Sequence, residues 1–153
     1  NYNAEVSQHI LDMLPMSKDF DFNANRVALC STPPGGECVA HKDGTAHRVS
    51  FNIPIQILDD KCVTRWYTDE ELSDCKIVGL PYCRSASKQI HDKPRTPVKT
   101  MVAVPNEFIL FNTEIWHDWT NVESTNRRSV LTLRVNNPQD MYFEDARRIL
   151  FNY

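Results

Sequence analysis

Residues 48–58, RVSFNIPIQIL, alternate with a period of two. Val49, Phe51, Ile53 and Ile55 fall on one side of an extended chain, and Arg48, Ser50, Asn52 and Pro54 on the other. A helix would repeat its apolar stripe every 3.6 residues, so this pattern demands a strand. β-branched and aromatic residues recur in RVALCS (26–31), ECVAH (37–41), CVTRWYT (62–68), VKTMVAV (98–104), EFILFN (107–112), EIWHDWT (114–120) and RSVLTLRV (128–135). The turn-formers TPPGG (32–36) separate the first two of these. About eight short strands with turns rather than helices between them imply an all-β sandwich or barrel, not a parallel βαβ sheet.

Helical spacing is confined to the two ends. In residues 3–14, Val6, Ile10, Met13 and Leu14 form an apolar stripe that Pro15 terminates, and His9 falls among polar neighbours. Near the C-terminus Asn137 can cap a helix with Pro138 in its first turn. Residues 69–97 carry mixed charge, three prolines and no sustained period, the composition of a lid with Trp66 and Tyr67 at its base. With 153 residues the chain reads as one domain, 1–153, its core spanning about 26–136.

The net charge of −3 and pI near 5.9 argue against nucleic acid as a partner. No apolar run approaches a membrane span. The five cysteines, at 30, 38, 62, 75 and 83, are odd in number and contain no C-x2-C pair. They read as reduced thiols of a cytoplasmic protein rather than as a disulfide framework or a structural zinc site.

The chemistry concentrates around HKD (41–43). His41 and Asp43 stand two apart, so an extended backbone aims both side chains the same way, and Gly44 lets the chain turn directly afterwards. One imidazole and one carboxylate lack only a second imidazole to make an open Fe(II) site, which leaves three coordination positions for substrate and oxygen. The candidates are His9, His47, His91 and His117. His117 is favoured because it sits in a strand-like segment between Trp116 and Trp119, residues suited to keeping a pocket dry. Eleven residues on, Arg128, Val130, Thr132 and Arg134 share one strand face, and Ser129, Leu131, Leu133 and Val135 the other. The second set reads as core, so the first lines solvent or a pocket. Arg128 is placed where a dicarboxylate could be anchored by a forked pair of hydrogen bonds, with Arg127 as the competing choice.

With these residues in place the chain resembles the Fe(II)- and 2-oxoglutarate-dependent dioxygenases over roughly residues 26–136. The resemblance implies a double-stranded β-helix (jelly roll) flanked by N- and C-terminal helices. It implies Fe(II) on His41, Asp43 and His117, with 2-oxoglutarate as cosubstrate. RSVLTLR (128–134) is similar to the last core strand of the DNA-alkylation-repair (AlkB-type) members, where both arginines, here Arg128 and Arg134, serve the cosubstrate. HRVSFNIPI and the ending of 128–138 look more like the aspartyl/asparaginyl β-hydroxylases, which implies a place near 2-oxoglutarate for Ser50 and Asn52. The implied reaction couples O2 and oxidative decarboxylation of 2-oxoglutarate to hydroxylation of a small-molecule or peptide substrate. Two alternatives stand beside it: a non-catalytic jelly-roll binding or structural protein, and a cupin-type metal protein. HDWTN (117–121) matches the second cupin motif, but His41-x-Asp43 departs from the His-x-His of the first.

Overall fold

The computed structural model describes residues 4–14, 18–43, 48–80, 83–89, 95–137 and 140–151, with 76–80 and 83–89 given by their backbone. His47, His91 and Pro138 lie outside the described residues. The core is all β, two antiparallel sheets with a helix toward each end of the chain. The first sheet holds β1 (Ala28–Thr32), β10 (Arg128–Leu133), β3 (Val49–Gln56) and β8 (Ile109–Asn112), in that order. The second runs β5 (Lys76–Leu80), β6 (Cys83–Gln89), β2 (Glu37–His41), β9 (Trp116–Thr120), β4 (Val63–Tyr67) and β7 (Lys99–Val102). From β1 to β4, and again from β7 to β10, the chain crosses to the other sheet at every step.

The turn between β1 and β2 follows from TPPGG. Gly36 N–H donates to the Pro33 carbonyl at 3.1 Å. Pro34 then occupies the position that favours a fixed negative φ, and Gly35 the next, at φ 75°. A side chain at Gly35 would be strained there, and one at Gly36 would meet Thr32 Cγ2 at 2.6 Å.

The main core covers the outer face of the four-stranded sheet. Phe51, Leu131, Leu133 and Val135 pack there with Phe20, with Leu11 from α1 (Ala4–Asp12) and with Ala146 from α2 (Phe143–Phe151). Phe51 is fully buried, with the rings of Phe20, Phe22 and Phe108 centred within 5.6 Å. The alternation of β10 is realised here, with Leu131, Leu133 and Val135 turned to the helices.

Three expectations change. The buried stripe of α1 is Ser7, Ile10, Leu11 and Leu14, while Val6 and Met13 are 46% and 63% exposed. Ser7 is buried on this face, which lies away from Val6 and Met13. α2 begins at Phe143, with Ala146 N–H bonded to the Tyr142 carbonyl, so Asn137 is not its cap. Residues 69–97 are not irregular throughout, because β5 and β6 form a hairpin that extends the second sheet beside β2. Gly79 and Pro81 interrupt the period there, so the pairing rests on backbone hydrogen bonds that leave no pattern in the sequence. No helix among the described residues is long and apolar enough to cross a membrane.

The rotated face of α1 has a direct test in urea denaturation. Leu11→Ala is expected to cost about 2–5 kcal/mol as a buried truncation, and Val6→Ala to stay within about 0.5 kcal/mol. The opposite ranking would restore the stripe through Val6 and Met13.

Candidate metal centre

β2 and β9 are antiparallel neighbours, and their register sets His41 directly opposite His117. The register shifts between Cys38 and His41, a local irregularity of the kind that re-aims a side chain. The two imidazole rings are centred 4.4 Å apart, both in buried residues. Asp43 lies two residues past His41, and its backbone N–H donates to the Thr113 carbonyl at 3.0 Å, which ties it to the turn after β8. The ligand-type atoms of His41, Asp43 and His117 all lie within 4.8 Å of one another, so this buried group could hold a metal ion.

The surroundings orient each donor atom. Nδ1 of His41 lies 2.8 Å from the Val39 carbonyl, and Nδ1 of His117 lies 2.7 Å from the Ile115 carbonyl. A carbonyl only accepts, so both Nδ1 atoms carry the proton and both Nε2 atoms are left to face the centre. Cys38 Sγ adds a contact to His41 Nδ1 at 3.6 Å. Asp43 is held on its other side by Arg134, whose guanidinium reaches Asp43 Oδ2 at 3.2 Å and the Val49 carbonyl at 3.1 Å.

Without a metal the electrostatics are polarised. Burial opposes charge on His41, but the hydrogen bonds to Asp43, Cys38 and Val39 outweigh it and push the imidazole up to about 11. Burial likewise opposes charge on Asp43, yet the His41 bond and the nearby Arg134 hold its carboxyl down at about 2. His117 goes the other way, down to about 4, because it is buried and faces a charged His41. At neutral pH the trio therefore carries a positive charge on His41, protonated at both ring nitrogens, a negative charge on Asp43 and a neutral His117.

Between the sheets lies a cavity of about 190 Å³. His41, Asp43, His117, Arg128, Arg134, Ser50 and Asn52 all line it. Ser50 donates to Asn52 Oδ1 at 3.0 Å. Arg128 lies over the Trp119 ring at 5.5 Å, and its buried Nε has no hydrogen-bond partner. Burial pushes its guanidinium below the ordinary value. Arg127 is exposed and bonds Ser31 Oγ at 3.1 Å, away from the cavity. His9 is exposed on α1.

The two tryptophans beside His117 part company. Trp119 lines the cavity, whereas Trp116 points to the opposite sheet face and packs with Ala40, Tyr67 and Leu72. Asn121, of the HDWTN match, is bound to the Pro33 and Asn126 carbonyls at 3.0 and 2.8 Å and joins loops rather than entering the site. Sequence reading did not single out Thr64, Met101, Phe111 or Thr113 as cavity residues. Alternation from Trp66 would have placed Thr64, but nothing local marks the others.

No family model and no curated protein sequence matches this chain. Among solved structures it is similar to E. coli ycfD, at 14% identity and TM-score 0.43, over 90% of this chain and 31% of that one. It is also similar to Peruvianin-I, a cysteine peptidase from Thevetia peruviana latex, at 12% identity and TM-score 0.42, over 73% and 51% respectively. The chain thus spans about a third and about half of those proteins. Likenesses this distant define neither a family nor an activity.

The charge distribution yields a measurable quantity. Binding a divalent metal at pH 7 is expected to displace the His41 proton, since only a neutral Nε2 can be a ligand. Calorimetric titration in buffers of different ionisation enthalpy should show release of about one proton, and metal affinity should fall as pH falls. Release of no proton would mean that His41 is not displaced from Asp43.

Proposed function

We propose that this chain is an Fe(II)- and 2-oxoglutarate-dependent oxygenase. The observation that carries this reading is Arg128, a buried guanidinium with an unpartnered Nε lining the same cavity as the His-Asp-His group. A buried cation of this kind is costly unless an anion completes it. Among the described residues lining the cavity, Asp43 is the one acidic side chain, against Arg128 and Arg134. The lining therefore carries an excess of positive charge that suits a dianion. The donor set of two imidazoles and one carboxylate fits Fe(II) with open positions. The strand order β1-β10-β3-β8 facing β2-β9-β4-β7, with the chain alternating between sheets, supports a double-stranded β-helix.

In this reading His41, Asp43 and His117 hold the metal, each fixed in orientation by the carbonyls of Val39 and Ile115 and by Arg134. Bound there, Fe(II) with 2-oxoglutarate and O2 would supply oxidative decarboxylation to succinate and CO2, coupled to hydroxylation of a substrate C–H bond. Arg128 would hold the far carboxylate of 2-oxoglutarate by a forked pair of hydrogen bonds, with the Trp119 ring against its guanidinium. Asn52 accepts from Ser50 through its carbonyl, which leaves its amide N–H groups to donate toward the same anion. Arg134 neutralises Asp43 and holds the carboxylate in the ligating orientation.

Anaerobic addition of Fe(II) and 2-oxoglutarate is expected to give a weak visible charge-transfer band, and aerobic turnover to give succinate. Arg128→Ala should keep its metal but lose about 2–5 kcal/mol of 2-oxoglutarate affinity. Arg128→Lys should recover only part of this, because an ammonium cannot fork onto a carboxylate. A wild-type protein that binds Fe(II) but gives neither band nor succinate would leave a cupin-type metal protein. One that binds no metal would leave a jelly-roll binding protein.

A further inference from the structure

Between β4 and β7 the excursion 69–97, which contributes β5 and β6 to the second sheet, meets three consecutive residues at the end of β2 and just past it. Leu72, fully buried, shares a cluster with Ala40, Tyr67 and Trp116. β6 pairs with β2 through His41, which stands opposite Ser87. Asp69 accepts a hydrogen bond from Lys42 Nζ at 2.9 Å and another from Trp116 Nε1. The excursion thus engages Ala40, His41 and Lys42 on β2 and the loop after it, and on β9 it engages Trp116, the residue before His117. It is also fastened at its base, where Arg95 reaches Asp74 at 2.8 Å and the Glu71 carbonyl at 3.1 Å. Thr96 N–H donates to Glu71 Oε1 at 2.9 Å.

Neighbouring residues on a strand point to opposite faces. A group gripping the residues beside each histidine on the outer face therefore acts on the ligands without entering the cavity. We propose that Asp69 and Leu72 are positioning residues of the metal centre, setting the spacing of His41 and His117 from behind the sheet. This rests on the reading of His41, Asp43 and His117 as ligands. The Lys42–Asp69 pair alone is an exposed ion pair of little weight. Its effect comes from geometry, because one carboxylate oxygen spans both ligand-bearing segments and the Lys42 ammonium lies 5.0 Å over the Trp116 ring. Coupling of this kind is reciprocal: a segment that tightens the metal is itself tightened when metal binds.

Co(II) is a suitable probe, since its visible bands report coordination geometry independently of turnover. Asp69→Ala and Leu72→Ala, each checked for folding by circular dichroism, are expected to bind Co(II) about tenfold or more weakly, as when an outer support of a ligand is lost. Their band intensities should also change. Leu72→Met should restore both readouts, because it conserves volume. In the wild type, Co(II) should slow amide exchange in residues 83–89, and this protection should shrink in Asp69→Ala. Wild-type Co(II) affinity and spectrum in the folded variants would overturn the proposal, whatever their melting temperatures. Should Leu72→Ala fail to fold, Asp69→Ala decides by the same readouts. If wild-type Co(II) binding survives His41→Ala, the ligand assignment itself falls and the positioning role with it, a failure visible before Asp69 is altered.

Discussion

The cavity depends on the register between β2 and β9. His41 and His117 meet because they are cross-strand partners, and a slip of one residue would turn either histidine to the outer face. The other neighbour of β9, β4, is fixed separately from the outer face. Asp118, next to His117 and turned outward, takes two hydrogen bonds from Arg65 at 2.8 and 2.9 Å and one from Tyr67 at 2.8 Å. Burial and the Asp118 carboxylate push the Tyr67 hydroxyl well above its ordinary value, so it stays a donor. A buried carboxylate with three donors from one neighbouring strand admits a single alignment of β4 on β9. Sliding the strands would strand its charge.

Electrostatics then separate two chemically identical side chains. His41 touches Asp43 and is driven toward the charged form, while His117, more isolated from the carboxylate, is driven toward the neutral form by burial and by His41. Adjacent imidazoles in a shared low-dielectric space cannot both charge, so they act as one coupled unit. The charge on His41 faces the Asp43 carboxylate, with Nε2 3.5 Å from Oδ1. The arginines divide in the same way. Arg134 is already engaged by Asp43, whereas Arg128, buried beside Trp119 and the Cys62 thiol, offers its charge to the cavity.

Much of this was legible because strands alternate. β10 reads directly from RSVLTLR: residues 128, 130, 132 and 134 line the cavity, and 131, 133 and 135 pack under the helices. The choice of Arg128 over Arg127 as the inward residue follows from that parity alone. The same rule, applied to IWHDWT, would have separated Trp116 from Trp119, and would have marked Asp118 as an outward charge needing a partner. Other features leave no trace. The buried face of α1 includes Ser7, which no hydropathy pattern favours. The β5–β6 hairpin is held by backbone pairing, in a stretch whose glycine and proline disguise its period. Met101 reaches the cavity through the register of β7 on β4, opposite Thr64, and Thr113 through backbone hydrogen bonds with Arg48 and Asp43, partners far away in sequence.

The two sheets cover their outer faces differently, and the difference falls beside the His-Asp-His group. The four-stranded sheet is covered by helices from the chain ends, remote from the ligands. The six-stranded sheet is covered at its ligand end by the turn after β4, which carries Leu72 and Asp69, while β6 pairs along the edge of β2. A lid swinging as one body would strip β2 of its neighbour and leave backbone groups unpaired beside His41, a cost that opposes free motion. At the end of the sheets where Asp43 meets Thr113, Arg48 joins Glu114 at 2.7 Å and stacks over Tyr142 at 4.4 Å. The excursion backs the strands that carry His41 and His117 through Leu72, Asp69 and β6, whereas the Arg48–Glu114 pair stands at the turn after β8.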